Sequence, residues 1–292
     1  MHEFLFHNDQ LQPLSEIRLS PGQAGLLNGW GIFSTIRVYE GVPWAFERHW
    51  NRLARDADRV QIPLTHDPAT VLEAVRKVIG ANRVQSGCIR IYFVFNKGSP
   101  WRSNERLPAV DLLIYSTDLP VRVGPADLVV MPNGRHASSP LAGTKVTAWL
   151  NNVWHLEQAH RQGFEEALLL NERDEVAECT AANLFCVIGG TVTTPPPTSG
   201  CLLGVTREVV LEIAPRAGMR AIERTLSLAE VLTAEEIFIT STTRNVQPVR
   251  RIDHASFHQS RGPITERLAR LLLEEIQAYV HQRQPRPGTP SR

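Results

Sequence analysis

In SPLAGTKVTAWLNN, residues 139–152, one lysine, Lys145, stands among small and apolar residues. Gly143, Thr144 and Thr147 are nearest it, and no acidic residue lies within five positions on either side. To act as a nucleophile or base, a lysine must be neutral part of the time, and an apolar, acid-free setting favours that form. Solvated surface lysines are far commoner, so Lys145 alone decides nothing. Glu178 ends the run EVAE just before CTAANLF. Alternation from Val176 puts it on the face of that apolar residue, where a carboxylate is costly unless paired; the bland alternative is a strand-end glutamate reaching solvent. LLGVTREVV places Gly204 and Val205 just before Thr206, where a helix begins. Free N–H groups and a hydroxyl there make either an anion site or a plain cap. FITSTTRN releases a strand into Ser241, Thr242 and Thr243, a hydroxyl cluster or a polar turn. Arg52 lies near the apolar face formed by Trp50 and Leu53, as an anion ligand or a snorkelling, salt-bridged side chain. Together, two hydroxyl clusters, a helix N-terminus and a guanidinium suit one phosphate dianion.

Other reactive residue types carry less. His49, His136, His155 and His160 are candidate ligands or bases, but His155 and His160 are five apart, which argues against a shared metal, and no metal site is expected. Arg135-His136, just upstream of Lys145, could face its site. Cys88, Cys179, Cys186 and Cys201 contain no CxxC pair. Cys179 and Cys186 read as buried small apolar residues rather than nucleophiles.

The elements that must position these groups fall into two parts. CIRIYFVFNKG, 88–98, alternates Ile89, Ile91, Phe93 and Phe95 against Arg90, Tyr92 and Asn96, a half-buried strand. VDLLIYST, 110–117, is a second strand, and KGSPWRSNERLP between them is a polar loop with one exposed tryptophan. Residues 67–83 open with Asp67 as N-cap and Pro68 at the first helical position. Residues 46–60 have helical spacing of Trp50, Leu53 and Ala54. This first part, 1–117, is a mixed helix-and-sheet unit, and DLPVRVGP supplies a linker at 118–123. The second part, 124–284, contains EALLLNERDEVAEC as strand, turn, strand, then a hairpin turning at Gly189-Gly190, and the strand EEIFITST. Helices are expected at 148–163, 206–218, 227–236 with Ser227 and Glu230 in capping-box spacing, and about 263–284. Hairpins with separate helices give an α+β class. The Pro-rich tail 285–292 is expected to be disordered.

Composition sets the frame. The 292 residues are 42% hydrophobic and 21% charged with net charge +1, an ordinary globular balance without bulk attraction to nucleic acid or membrane. No apolar run approaches a membrane span, and MHEFLFHNDQLQP lacks signal architecture, so a cytoplasmic enzyme is expected.

Six collinear blocks between about 25 and 255 resemble the class IV, or fold-type IV, pyridoxal-phosphate enzymes. They are GWGIFSTIRVYEG with HWNRL, AGTKVTAWLNN, GFEEALLLNERDEVAECTAANLF, TTPPPTSGCLLGVTRE and EEIFITSTTRNVQPV. That family holds branched-chain and D-amino-acid aminotransferases and aminodeoxychorismate lyase. The resemblance implies a small N-terminal α/β sandwich-like domain and a larger C-terminal cofactor-binding domain with a mostly antiparallel, barrel-like sheet. It implies that Lys145 forms the Schiff base with pyridoxal 5′-phosphate and that Glu178 pairs with the pyridinium nitrogen. Arg52, Val205, Thr206 and Thr242 match the phosphate cup, and Leu202 the side chain against the ring. A homodimer is implied, with the loop around Arg102 reaching the partner subunit's site.

Substrate signals in the sequence are mixed. D-specific enzymes tend to carry Tyr where Phe33 stands and Arg-x-His where Arg102-Ser103-Asn104 stands; branched-chain enzymes often carry Tyr-x-Arg at Cys88-Ile89-Arg90. FSTIR is nearer the form found in lyases, and SPLAGTK, GCLLGVTR and TSTTRNVQPV are similar to aminodeoxychorismate lyase sequences. The commoner activity in the family is transamination, so transfer from a branched-chain or similar apolar amino acid to a 2-oxo acid is the expectation, with the lyase as alternative and D-amino-acid transamination behind both. Phe33, Arg90, Tyr92, Arg102 and Thr243 are the candidate substrate contacts, with Trp30 and Trp101 as candidate pocket walls.

Overall fold

The computed structural model describes residues 1–19, 23–96, 108–257 and 262–284. Arg102, Trp101 and the rest of their loop, and the tail 285–292, lie outside the described residues. The chain forms two compact units, Met1–Pro120 with Leu273 onward, and Val121–Leu272. The protein is a mixed α+β molecule, as expected.

The first unit contains β1 (Phe4–His7), β2 (Gln10–Pro13), α1 (Ala24–Asn28), β3 (Gly31–Tyr39), β4 (Val42–Pro43), α2 (Phe46–Arg59), α3 (Pro68–Ala81), β5 (Ser86–Phe95) and β6 (Val110–Thr117). Its six strands form one antiparallel sheet in the order β2-β1-β6-β5-β3-β4. Ile32 and Ile36 of β3, Ile89, Ile91 and Phe93 of β5, and Leu112 and Ile114 of β6 share one core with Leu53 of α2 and Val71, Val75 and Val78 of α3. The other sheet face carries Phe33 stacked on Tyr92 at 5.2 Å and Tyr92 stacked on Tyr115 at 5.7 Å. Asn96, expected on a polar face, is fully buried, because its side chain donates to the buried Asp111 at 2.5 Å. Asp67 caps α3 by accepting from Thr70 N–H at 2.8 Å.

The second unit contains β7 (Ala126–Met131), α4 (Leu150–Arg161), β8 (Glu166–Leu170), β9 (Val176–Cys179), β10 (Asn183–Ile188), β11 (Thr191–Thr194), α5 (Val205–Arg216), β12 (Ala221–Glu223), α6 (Leu228–Leu232), β13 (Glu236–Ser241), β14 (Asn245–Ile252), β15 (Ala255–Ser256) and the start of α7 (Pro263–Arg283). The sheet order is β12-β11-β10-β13-β14-β7-β8-β9, with β15 beside β14. Most pairings are antiparallel; β11/β12, β14/β7 and β7/β8 are parallel. Cys179 N–H donates to Ala182 O at 2.8 Å, so the terminal strand β9 turns straight back into β10 and the sheet curls toward closure. Leu128, Leu168, Val176, Leu184, Ile237, Ile239 and Val249 fill its interior. Gly189 and Gly190 make the β10–β11 turn with φ of 56° and 68°, the left-handed values that a two-residue hairpin of this kind requires.

Three sequence expectations are adjusted. The capping box of Ser227 and Glu230 forms, but α6 ends at Leu232 rather than near 236, because Glu235 N–H already donates to Val187 O and draws the chain into the sheet. The last helix does not belong wholly to the second part; from Leu273 it packs with the first unit, where Tyr279 Oη donates to Glu47 at 2.8 Å. Simple alternation does not describe β9: Leu169 pairs with Glu178 and Leu170 with Val176, which leaves Ala177 as an extra bulged residue. No helix among the described residues is long and apolar enough to cross a membrane.

Candidate active site

Glu178 is 6% exposed, on the strand end just past the bulge. Burial raises its carboxyl above the ordinary range, while Arg135, the Leu202 N–H, Lys145 and Arg207 pull in the opposite direction. Arg135 Nη2 lies 2.8 Å from Oε1. Leu202 N–H donates to Oε2 at 3.0 Å, and Asn183 Nδ2 approaches the same oxygen at 3.4 Å. Asn183 Nδ2 also donates to Leu202 O at 2.8 Å, tying the segment that enters α5 to the acid.

Lys145 follows a turn containing Gly143, whose φ is 73°, and precedes α4. Its Nζ stands 4.5 Å from the centroid of the Trp149 ring. The polypeptide leading to it is pinned by Glu172, which accepts from Ala137 N–H at 2.7 Å and Ser138 N–H at 3.0 Å. Those bonds, with the Ser138 hydroxyl first among them, hold Glu172 down at about 2. Thr144 and Thr147, on either side of the lysine, have buried hydroxyls without a hydrogen-bond partner.

The N-terminus of α5 begins at Gly204, which offers no side-chain cap. The N–H groups of Val205, Thr206 and Arg207 therefore point out of the helix without an intrahelical acceptor. Thr206 is 1% exposed, and its hydroxyl has no partner. A Cβ on Gly204 would collide with Asn183 Oδ1, so only glycine permits this approach. α5 packs on β13. In the sheet Asn183 pairs with Thr240 and Ser241 with Asn245, which places the Ser241–Arg244 turn at the sheet end where Asn183 begins. The Thr240 hydroxyl is buried without a partner, and Thr242 and Thr243 are half-buried in the turn.

The second unit thus brings Lys145, Glu178, Leu202, Val205, Thr206, Thr242 and Thr243 to neighbouring loops and strand ends. Arg52, Phe33, Arg90 and Tyr92 belong to the first unit. There Arg52 is 6% exposed on α2 and donates to Ser34 Oγ at 2.8 Å, and Arg90 Nη1 donates to Tyr92 Oη at 3.4 Å. Arg135 does face Glu178, whereas His136 is mostly exposed and lies 3.6 Å from Glu172. Cys179 and Cys186 are buried, and burial pushes the Cys186 thiol up to about 12 and Cys179 well above its usual value, so both are inert. Asn183, Asn152 and Trp149 are not singled out by sequence reasoning. The only signal for them is proximity to Glu178 and Lys145 along the chain.

Buried donors around an open helix N-terminus suit a phosphate. A carboxylate fixed by an arginine and a main-chain N–H suits a cationic ring nitrogen. The residues present therefore fit a phosphorylated pyridine cofactor beside a lysine.

Known proteins agree with that chemistry. The family model described as amino-transferase class IV matches residues 31–252. The chain is 27% identical over 287 residues to the branched-chain-amino-acid aminotransferase of Escherichia coli strain K12, covering 91% of this chain and 90% of that one. It is also 27% identical over 287 residues to the aminodeoxychorismate lyase of Bacillus subtilis, covering 96% and 97%. A solved branched-chain amino acid aminotransferase from the source abbreviated T.th., complexed with N-(5′-phosphopyridoxyl)-L-glutamate, superposes with a TM-score of 0.86 at 26% identity, covering 96% of this chain and 95% of that one.

Proposed function

The chain belongs to the class IV amino-transferase family, and from that premise we propose that it is a pyridoxal-phosphate-dependent transaminase acting on an apolar α-amino acid and a 2-oxo acid. The observation that carries this reading is the Glu178 carboxylate, buried beside Lys145 and held by Arg135 and the Leu202 N–H. The cofactor, when bound, supplies an electron-accepting ring that takes up the electron pair left on the substrate Cα. Glu178 keeps a proton on the ring nitrogen. Lys145 removes the Cα proton and delivers it to the neighbouring carbon of the cofactor. The α5 N-terminus with Thr206 and Thr242 holds the phosphate, so the cofactor stays anchored while its bond to Lys145 is exchanged. Leu202 packs against the ring. From the first unit, Arg52 is assigned to the phosphate and Phe33, Arg90 and Tyr92 to the substrate, on the family resemblance; Thr243 joins them from the second unit. The working enzyme is taken to be a cytoplasmic homodimer on the same ground, and light scattering of the purified protein tests its size.

The test is a half-reaction. Leucine added to the cofactor-loaded enzyme converts the visible absorbance to that of the pyridoxamine form, and 2-oxoglutarate reverses it. No conversion with any amino acid of a broad panel would overturn the transaminase reading. The second reading, aminodeoxychorismate lyase, is favoured by an overall similarity as high as that to the aminotransferase. It predicts release of pyruvate from aminodeoxychorismate without that spectral conversion.

A further inference from the structure

The Thr242–Thr243 turn and the strand end bearing Glu178 are remote in sequence, yet an unbroken run of side-chain bonds joins them. The Arg244 side chain, directly after the turn, is 2% exposed, and its Nη2 donates to Glu166 Oε2 at 3.0 Å. Its Nη1 donates to Glu165 Oε1 and Gln247 Oε1, each at 2.5 Å. Glu166 on β8 is fully buried. Its Oε1 accepts from Thr180 N–H at 3.2 Å and also from the Thr180 hydroxyl. Thr180 stands two positions after Glu178. Its carbonyl accepts from Asn152 Nδ2 at 2.6 Å, Asn152 Oδ1 accepts from Arg135 Nη1 at 3.4 Å, and Arg135 returns to Glu178 at 2.8 Å.

A buried ion pair is a poor stabiliser, because desolvating two charges offsets most of their attraction. Apolar residues could tie β8 to the turn with less cost. What a forked, hydrogen-bonded pair adds is fixed geometry: Arg244 engages three acceptors through one rigid guanidinium, and Glu166 divides its two oxygens between the turn and Thr180. We propose that the Arg244–Glu166 pair is a positioning device that sets the hydroxyl turn at one spacing from Glu178, so that the phosphate end and the ring-nitrogen end of the cofactor are held in register. This role rests on the function proposed above.

Three variants test it: Glu166→Gln, Arg244→Lys and Thr180→Val. Inorganic phosphate is titrated into the cofactor-free protein, and the pH titration of the visible band is followed after loading with pyridoxal phosphate. Glu166→Gln and Arg244→Lys are expected to weaken phosphate binding by about 5- to 10-fold, as loss of one hydrogen bond to a charged group implies. Thr180→Val, which spares the pair, is expected to leave phosphate affinity within about twofold while moving the pH at which the band titrates. Should Glu166→Gln fail to fold, the contrast between Arg244→Lys and Thr180→Val carries the test. Variants that lower Tm alone, with phosphate affinity and pH titration unchanged, would overturn the positioning role. Failure of the wild-type protein to take up pyridoxal phosphate at all would instead overturn the proposed function, and this role with it.

Discussion

Glu178 and Thr206 lie in the same unit, 6% and 1% exposed, and their polar atoms are treated in opposite ways. Glu178 is saturated: a guanidinium, a main-chain N–H and an amide already meet its two oxygens. Thr206 has a hydroxyl without a partner at a helix end without a cap. One end holds a fixed negative charge at a set height in its own electrostatics. The other keeps donors unpaired, which costs stability in the bare protein and is recovered when an acceptor arrives. A site for an anion needs the second design, and a site for a cationic ring nitrogen needs the first. The contrast assigns direction as well as composition, because a cofactor that joins them must present its phosphate to α5 and its ring nitrogen to β9.

The largest effect expected is at the lysine that links the two ends. Lys145→Ala should lower the half-reaction rate by about 1,000-fold or more, since proton transfer at Cα then has no base, while phosphate affinity changes little. Glu178→Gln should follow, with a loss of about 10- to 100-fold in rate, read by the same half-reaction, because the amide cannot keep the ring nitrogen charged. At the other end, Thr206→Val removes a donor with no partner in the bare protein. It should weaken pyridoxal phosphate binding about 10-fold in equilibrium dialysis, yet leave Tm of the cofactor-free protein unchanged or slightly raised. That opposite movement of affinity and stability is the sharpest test of the contrast, since a structural threonine would lose both together.

The smallest effect is a shift in pH dependence. Burial raises the Glu178 carboxyl, and Arg135 is the foremost of the groups that hold it down. The cofactor needs the ionised carboxylate, so affinity is full above the Glu178 value and falls as pH drops through it. Arg135→Met removes the opposing cation, raises that value further, and should move the acid limb of the binding curve upward by roughly one pH unit. A downward shift would mean that Arg135 does not act on Glu178.

Much of this was legible in the sequence, for reasons that differ by residue. Lys145 was visible because an acid-free apolar setting is unusual around a lysine, and Gly204 and Thr206 because helix starts leave a local signature. Asp67, the Ser227–Glu230 box and the Gly189-Gly190 turn were equally local, and each forms as read. The partner of Glu178 was barely legible: Arg135 is 43 positions away, and nothing in the chain marks one arginine over another. The Arg244–Glu166 bond, spanning 78 positions, gave no sequence signal at all. The bulge at Ala177 was hidden because alternation assumes an unbroken ladder, and it is this bulge that sets where Glu178 stands on the strand. Element types follow from local pattern; long-range polar pairing follows from packing.

The most direct test of the central claim is borohydride reduction of the pyridoxal-phosphate-loaded protein followed by peptide mass mapping. The account predicts a single phosphopyridoxyl group on Lys145, within the peptide containing GTKVTA. Modification of a different lysine, or none under conditions where the protein is folded, would contradict it.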